Sequence, residues 1–474
     1  MEDSYDKVPY HTKVNFDMHP DRLAAIGRLA GMEPAPVDQC RYLEIGCGTG
    51  AHVISLAHYL PRSRFVGMDL AETAIAEGEQ ERRVLSLDNL TLRAGDLREI
   101  SAEWGEFDYI AAHGVYSWAP PDVRDALLRV CRERLAPEGV AFISYNALPG
   151  RRARQYLQDL MRFHVRGIDD PEQRVSRARW SVQFLLEKAY LPEPWKALLQ
   201  AEAERLTEVS GNQLFHDDLA AFSEPIYFLD FVAAATRNGL QYVGEADTPE
   251  MFDIAGILKD VTSDLLDREQ YMDFLKARMF RQTLSCRADR HLTRPAIESC
   301  LDRFLFSALT RRFDDGHIQG MRGMRIKPVQ ESARNVAAAL GEMYPQPVPF
   351  ADLAPYAGDE AALRDILSGM VMSGFADIHV YEFPFEETVT ERPRASRLAR
   401  HQARESVAVV NACCKIVSLD EIGRRLIQLL DGSRTHEKIA ADLAKTQGAP
   451  PMTEIVKHLP ASLEWMARAA LLEG

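Results

Sequence analysis

The sequence predicts an α/β protein: a Rossmann-like parallel sheet, a helical middle domain and a small α+β, winged-helix-like C-terminal domain. Two observations predict the sheet. A glycine-rich turn joins a buried strand to a helix at residues 42–59, and strand-like and helix-like segments then alternate up to residue 145. A third observation, the proline-rich segment 344–349, marks a stiff boundary before the last part of the chain.

The glycine-rich turn is the first element. Residues 42–45 suit a buried strand, Gly46, Gly48 and Gly50 allow a tight turn and a close ligand, and residues 51–59 suit a helix. Gly46-x-Gly48-x-x-Ala51 fits a dinucleotide fingerprint, and an ordinary strand–turn is a further alternative. The turn also fits the glycine loop of enzymes that bind S-adenosylmethionine (SAM), in which an acid precedes the first glycine and a third glycine lies two positions after the second. Glu44 and Gly50 occupy these positions. A carboxylate also suits a cationic ligand better than it suits a pyrophosphate.

Two further strands each end in an acid, which favours SAM. The strand predicted at residues 64–70 has Asp69 at its carboxyl end, and this carboxylate can hold the ribose hydroxyls of a bound nucleoside. The strand predicted at residues 90–97 has Asp96 and Leu97 at its carboxyl end. Asp96 can accept a hydrogen bond from the adenine amino group, and the Leu97 backbone N–H can reach a ring nitrogen of adenine. A dinucleotide enzyme needs the first acid but leaves Asp96 and Gly50 unexplained.

The fourth and fifth strands are predicted at residues 107–113 and 141–145, with a turn at 135–140 between them. Helices are predicted at 71–86 and 121–135. Because the carboxyl ends of parallel strands share one edge of a sheet, Gly46, Asp69, Asp96 and His113 should converge there.

Aromatic residues after the fourth strand are candidates for a methyl-transfer channel: His113, Tyr116 and Trp118, with Tyr145 at the end of the fifth strand. Aromatic faces attract a sulfonium or an amine through cation–π interactions. The alternatives are that Tyr116 and Trp118 only pack the loop, and that His113 is a wall residue and not a general base.

The N-terminal 19 residues carry Tyr5 and Tyr10 in a polar setting, which indicates either a plain tail or an aromatic flap over the cofactor. His19-Pro20-Asp21 then opens an amphipathic helix. Farther on, the basic run 151–154 predicts a solvated helix face, or alternatively a contact with an acidic partner surface or a dimer contact. His216-Asp217-Asp218 predicts a capped helix start.

Composition limits the remaining functions. The chain has 474 residues and 53.4 kDa, which suggests about three domains. The net charge of −14 argues against a nucleic-acid partner, which needs clustered Lys and Arg. The seven scattered cysteines show no zinc spacing, so no metal is expected, and they fit a reducing cytoplasm. No apolar segment indicates a signal peptide or a membrane span, so we expect a cytoplasmic protein.

The order and spacing of these strands and acids resemble class I SAM-dependent methyltransferases over residues 20–150. The whole chain is similar to bacterial protein lysine methyltransferases that carry a methyltransferase regulatory domain and a C-terminal winged-helix-like domain. The matching pieces are Tyr5-Asp6, Pro9-Tyr10, His19-Pro20, and residues 112–118, 144–146, 215–246, 280–284, 392–396 and 430–432. This chain departs from the pattern near the expected acceptor pocket, with Ala147-Leu148 and Arg151.

The resemblance implies SAM as methyl donor, S-adenosylhomocysteine (SAH) as product, a lysine acceptor and a homodimer. It implies this cofactor site: Tyr5, Tyr10, Glu44, Gly46, Cys47, Gly48, Gly50, Asp69, Leu70, Asp96, Leu97 and His113. The expected divisions are a SAM-binding domain at 1–165, the middle domain at 166–300, a connecting segment at 301–344 and the winged-helix-like domain at 345–474. A methyltransferase acting on small molecules or peptides, and a non-catalytic SAM-binding interaction protein, are the alternative functions.

Overall fold

A seven-stranded sheet forms the centre of the computed structural model, which describes residues 8, 13–188, 190–220, 222–253, 256–446, 448 and 450–473. Its strands are β1 (Arg41–Ile45), β2 (Arg64–Asp69), β3 (Leu90–Ala94), β4 (Phe107–Ala112), β5 (Leu135–Asn146), β6 (Leu240–Glu245) and β7 (Phe280–Arg287). The strand order is β3-β2-β1-β4-β5-β7-β6. Strands β1 to β5 are parallel to one another, and β7 is antiparallel to both β5 and β6. The parallel part confirms the predicted sheet.

The helices that follow these strands cover both faces of the sheet. Helices α1 to α9 are Pro20–Leu29, Ala51–Tyr59, Glu72–Leu85, Pro121–Arg134, Arg152–His164, Pro171–Lys188, Glu193–Glu208, Gly211–Asp217 and Phe228–Arg237. Helices α10 to α17 are Leu265–Lys276, Glu331–Met343, Phe350–Ala357, Glu360–Met372, Arg397–Gln402, Glu421–Leu429, His436–Leu443 and Met452–Arg468.

The fifth strand begins earlier than predicted. Residues 135–140, expected as a turn, belong to β5, because Leu135 already pairs with Phe107 of β4 before the register shifts toward Tyr109. Residues 136–139, which include the turn-forming Pro137 and Gly139, lie in this irregularity and have no partner in the β4–β5 register.

The middle of the chain has two structural parts. Helices α5 to α8 pack around their own apolar core, which includes Leu157, Met161, Leu199 and Leu206. The chain then returns to the main sheet through β6 and β7, so part of the segment expected to be helical completes the sheet.

The basic run at the start of α5 is not a solvated face. Arg154 is buried and makes a bidentate ion pair with Asp218 at 2.7 and 3.0 Å, and Arg151 is buried beside it. The expected helix start at His216 is instead a helix end, since Ser210 caps α8 and Asp218 terminates it. The acidic partner of the arginines is therefore within the chain.

The last third of the chain contains a small sheet, β12-β8-β13, with β8 (Leu305–Ser307), β12 (Val348–Pro349) and β13 (Asp377–His379). Three two-residue strands pair as a second sheet: β9 (Arg311–Arg312), β10 (Ile318–Gln319) and β11 (Arg325–Ile326). The hairpin of β14 (Ala408–Val410) and β15 (Ile416–Ser418) lies among α14 to α17 over an apolar core. Helix α15 ends at Leu429, three residues before Gly432, whose φ of +81° lies in the left-handed region.

Candidate active site

The glycine-rich turn is held against the end of β2 by its own backbone. Gly46 N and Cys47 N donate to Met68 O at 2.7 and 3.0 Å. Gly48 N donates to Asp69 Oδ2 at 2.7 Å, so the predicted ribose acid also fixes the turn. The other oxygen of Asp69 accepts from Ala71 N at 2.9 Å.

Two of the glycines cannot be replaced without strain. Gly46 has a φ of +76°, and a Cβ there would lie 2.4 Å from Val115 Cγ2. Gly50 has a φ of +77° and is the N-cap residue of α2, so the N-cap position itself offers no side chain to the helix. In the first turn, the backbone N–H of Val53 donates to the Glu44 carboxyl group.

Glu44 is a buried carboxyl group at the base of the turn, with 5% of the residue exposed. Its Oε2 atom has no hydrogen-bond partner among the described residues. Burial, and then the charge of Asp69, raise the pKa of Glu44 to about 8. A buried, unpartnered carboxyl oxygen fits a ligand that presents a cationic amine at this point.

The residues predicted to bind adenine and those around them differ in their contacts and their exposure. Asp96 accepts from the Arg98 backbone N–H at 2.8 Å and also pairs with the Arg98 side chain. This hydrogen bonding to Arg98 lowers the pKa of Asp96, and an adenine amino group would have to share the carboxylate with that side chain. Leu97 is buried, whereas half of the Leu70 surface is exposed at the end of β2.

Cys47 also lies in the turn, where it is fully buried. Burial raises the pKa of its thiol well above the ordinary value, so Cys47 can serve a ligand through its backbone only.

His113 lies at the end of β4 with its ring open to the site. Its ring centroid is 6.2 Å from that of Phe142 and 5.9 Å from that of Phe280. The ring is accessible, yet the surrounding protein desolvates it and lowers its pKa, while Asp17 has a smaller opposite effect. His113 is therefore neutral at pH 7 and forms part of an uncharged, largely aromatic wall.

Tyr116 and Tyr145 do not join His113. The Tyr145 ring stacks on Phe231 with 4.5 Å between centroids, and its hydroxyl lies 3.0 Å from Thr283 Oγ1. Tyr116 packs edge-on against the same Phe231 at 5.3 Å. Both tyrosines are buried in the core on the opposite face of the sheet, so neither lines a channel beside His113.

Trp118 is half-buried in the short 3-10 helix Tyr116–Trp118. Tyr5 and Tyr10 lie outside the described residues, so the flap stays a prediction. Residues on either side of Tyr10 contact the protein: His216 Nε2 donates to Val8 O at 2.6 Å, and Asn15 N donates to His52 Nδ1 at 3.4 Å.

One polar side chain near this site was missed from sequence. Asn146 ends β5, is 1% exposed, and has no hydrogen-bond partner for either atom of its amide among the described residues. A polar residue closing an apolar strand was the available signal, but its face could not be known without the register of β5.

The arrangement fits a cationic nucleoside ligand. The glycine turn, the unpartnered Glu44 oxygen and the Asp69 carboxylate meet at one edge of the sheet, and the neutral wall around His113 lies next to them. The described residues contain no group of three His, Cys, Asp or Glu side chains placed to hold a metal ion. A search of the described helices finds none with the length and apolar character needed to cross a membrane.

Three family models match separate parts of the chain. They are "Methyltransferase domain" at residues 43–141, "Predicted methyltransferase regulatory domain" at 210–287, and "PKMT, C-terminal winged helix domain" at 391–450. The first spans the glycine turn and β1 to β5, and the second spans β6 and β7.

Two proteins of Rickettsia prowazekii (strain Madrid E) are similar in sequence. "Uncharacterized protein RP789" is 33% identical over 297 residues, which cover 61% of this chain and 54% of that one. "Uncharacterized protein RP028" is 32% identical over 238 residues, which cover 50% of this chain and 94% of that one. The chain thus matches about half the length of the first relative and nearly all of the second.

Among solved structures, PKMT2 from Rickettsia typhi matches with a TM-score of 0.84 and 24% identity, covering 98% of this chain and 100% of that one. PKMT2 in complex with AdoHcy matches with a TM-score of 0.83. This likeness shows a shared fold along almost the whole chain.

Proposed function

The chain belongs to the SAM-dependent methyltransferases that carry a methyltransferase regulatory domain and a PKMT-type C-terminal winged helix domain, and we propose that it methylates a lysine side chain in a protein. The observation that carries the proposal is the convergence of the cationic-ligand site around Glu44 with the neutral aromatic wall at His113. The shared fold with PKMT2, whose structure in complex with AdoHcy is known, supports it.

We assign the cofactor contacts as follows. SAM supplies a methyl group activated by a positively charged sulfur. Glu44 would take the ammonium group of the methionine part, Asp69 the ribose hydroxyls, and Asp96 with the Leu97 backbone the adenine. Gly46, Gly48 and Gly50 keep the backbone close to the ligand because none of them carries a Cβ.

The acceptor side must provide a neutral amine. Deprotonating a lysine at pH 7 costs about 4.6 kcal/mol from its ordinary pKa of about 10.4. The wall of His113, Phe142 and Phe280 carries no charge at pH 7 and excludes water from an entering amine. Because this desolvation disfavours the charged ammonium form, it lowers the pKa of the amine. We therefore assign His113 to the wall and no strong base to the reaction.

Mass spectrometry tests the proposed acceptor. Wild-type protein incubated with labelled SAM and a cell lysate should place label on lysine side chains, which peptide sequencing would locate. Label found only on metabolites, or on other side chains, would overturn the lysine assignment.

Calorimetry tests the cofactor site separately. Wild type should bind SAM and SAH, and Asp69→Ala should lose at least about tenfold in affinity, because it removes both the ribose acceptor and the anchor of Gly48. Asp88→Ala is the matched control, since Asp88 is an exposed acid just before β3. Equal SAM and SAH affinity in Asp69→Ala and Asp88→Ala would contradict the assignment of Asp69 to the cofactor site.

A further inference from the structure

Asn146 is buried with an amide that the protein leaves unused. Its backbone is fully engaged: Asn146 N donates to Ser117 Oγ at 2.8 Å, and Asn146 O accepts from Ile226 N at 3.0 Å. Its side-chain Oδ1 and Nδ2 are both inaccessible and have no partner among the described residues. Buried amides are normally hydrogen-bonded, so a pair of unmet groups at a strand end points to a ligand.

Strand geometry shows which way this amide faces. Side chains alternate along a strand, so Phe142, Ser144 and Asn146 share one face of β5. Phe142 contacts the His113 ring, and Ser144 Oγ accepts from Gly114 N at 3.0 Å. The intervening Tyr145 faces the opposite core.

The neighbouring strand gives the same result independently. Phe280 of β7 is directly opposite Asn146 in the antiparallel register, so the two side chains lie on the same face. The Phe280 ring is 5.9 Å from the His113 ring, edge to face. Asn146 therefore lies on the face of the sheet that carries the aromatic wall. The glycine turn ends at the same edge, because Val115, two residues after His113, touches the Cβ position of Gly46.

We propose that Asn146 positions the acceptor by taking one N–H of the neutral amine on its Oδ1 atom. This inference rests on the proposed function and adds the residue that aims the nucleophile. A neutral amine has two N–H groups and one lone pair, so an acceptor on one N–H turns the amine without occupying the lone pair. An uncharged amide does so without favouring the ammonium form, as a carboxylate at this place would.

The test uses two cofactor analogues that differ only at the reacting centre. Sinefungin carries an amine on carbon where SAM carries its methyl sulfonium, and SAH carries neither. Asn146→Ala should bind SAH within about twofold of wild type and lose about tenfold or more in affinity for sinefungin. Because no acceptor protein is involved, this readout is independent of turnover.

Two variants and one stability measurement complete the test. Asn146→Asp keeps an acceptor and should restore sinefungin binding. Asn238→Ala, a hydrogen-bonded asparagine at the end of α9, should bind both analogues as wild type does. The unliganded Asn146→Ala protein should melt at or above the wild-type temperature, because the change removes unmet polar groups.

Equal sinefungin affinity in wild type and Asn146→Ala would overturn the inference. So would parallel losses for sinefungin and SAH with a lowered melting temperature, since that pattern indicates a structural role. The proposed function fails separately, if the wild-type enzyme labels no lysine in a lysate.

Discussion

Glu44 is the residue whose ionisation should report cofactor binding. With its pKa raised to about 8, the carboxyl group is mostly protonated at pH 7 in the free protein. A cationic ligand favours the ionised form, so binding should release a proton, and SAH affinity should fall as the pH is lowered below 8, by up to about tenfold per unit. Calorimetry in buffers of different ionisation enthalpy measures the release.

Glu44→Gln is the companion variant for this measurement. It should bind SAH weakly and without proton release over the same pH range. Proton release that persists in the variant would assign the effect to another group.

His19 should make stability depend on pH. Its Nδ1 accepts from Asp21 N at 3.0 Å and caps α1, which requires the neutral ring. Burial lowers the pKa of His19 to about 4, against about 6.5 in the unfolded chain. The unfolded state therefore binds more protons between these values, and stability should fall by up to about 3 kcal/mol as the pH drops through this window.

Urea unfolding at several pH values checks this expectation. His19→Asn retains a capping acceptor that does not titrate, so its stability should fall less steeply on acidification. It should not become flat, because burial also lowers the pKa of His52, to about 3. Identical pH slopes for wild type and variant would exclude His19 as the source.

Glycines and acids at strand ends could be selected from sequence because their residue types are typical of such a turn. The structure joins two of them, Gly48 and Asp69, by a hydrogen bond. Tyr116 and Tyr145 were assigned to the site because of their type and position along the chain. Which face they occupy depends on register, which one sequence does not specify.

Among the elements, β7 carries a buried charge with several acidic partners. Arg281 is fully buried and pairs with Glu245 of β6 and with Glu269 and Asp273 of α10. Arg278 also pairs with Glu269 and Asp273, at 3.6 and 3.0 Å, so removing Arg281 leaves chiefly Glu245 without its cation in a dry environment. The link between β6 and β7 therefore depends on Arg281, whereas α10 is also held by Arg278.

Arg281→Leu should lower the free energy of unfolding by about 3–5 kcal/mol, since it leaves the buried Glu245 without its ion-pair partner. Arg287→Leu on the same strand, where the arginine pairs with the half-exposed Asp289, should cost less than about 1 kcal/mol. Denaturant titration measures both. Similar losses in the two variants would show that strand position, and not the buried network, sets the cost.

The alternation of strands and helices up to residue 145 was readable because each element is local. The place of β6 and β7 was not, because α10 lies between them and no hairpin turn signals their pairing. The start of β5 was mistaken for a turn because Pro137 and Gly139 are turn-forming types.

On the scale of the whole molecule, α1 joins the sheet to the last third of the chain. Arg22 Nη2 lies 2.8 Å from Asp377 Oδ1, 355 positions away, and both side chains are buried. His379 Nδ1 donates to Asp21 Oδ2 at 2.7 Å. Ion pairs with Arg22 and Arg322 hold the pKa of Asp377 well below its usual range despite burial.

Asp377→Ala should destabilise the protein by about 3–5 kcal/mol, because it leaves Arg22 buried without its carboxylate. Asp365→Ala, at an exposed position of α13, should change stability by less than about 0.5 kcal/mol. Scanning calorimetry would compare them. A variant that melts like wild type would contradict the structural role of this pair.

These long-range pairs leave no pattern in the sequence. Nothing in the sequence around Asp377 and His379 indicates that their partners lie in α1. The division of the chain at residues 165, 300 and 344 stays a prediction, and the contacts between its parts could not be predicted from one sequence.

The position of β6 and β7 in the sheet determines where the chain can be truncated. A fragment that stops at residue 165, where the sequence suggests the catalytic part is complete, would end with β5 as a bare edge. That edge is long and flanked by buried apolar side chains, the kind of surface on which chains stack into aggregates. The smallest stretch that can be purified as a working unit should therefore reach at least through Arg287, so the segment matched by the regulatory-domain model is also part of the scaffold of the aromatic wall around His113.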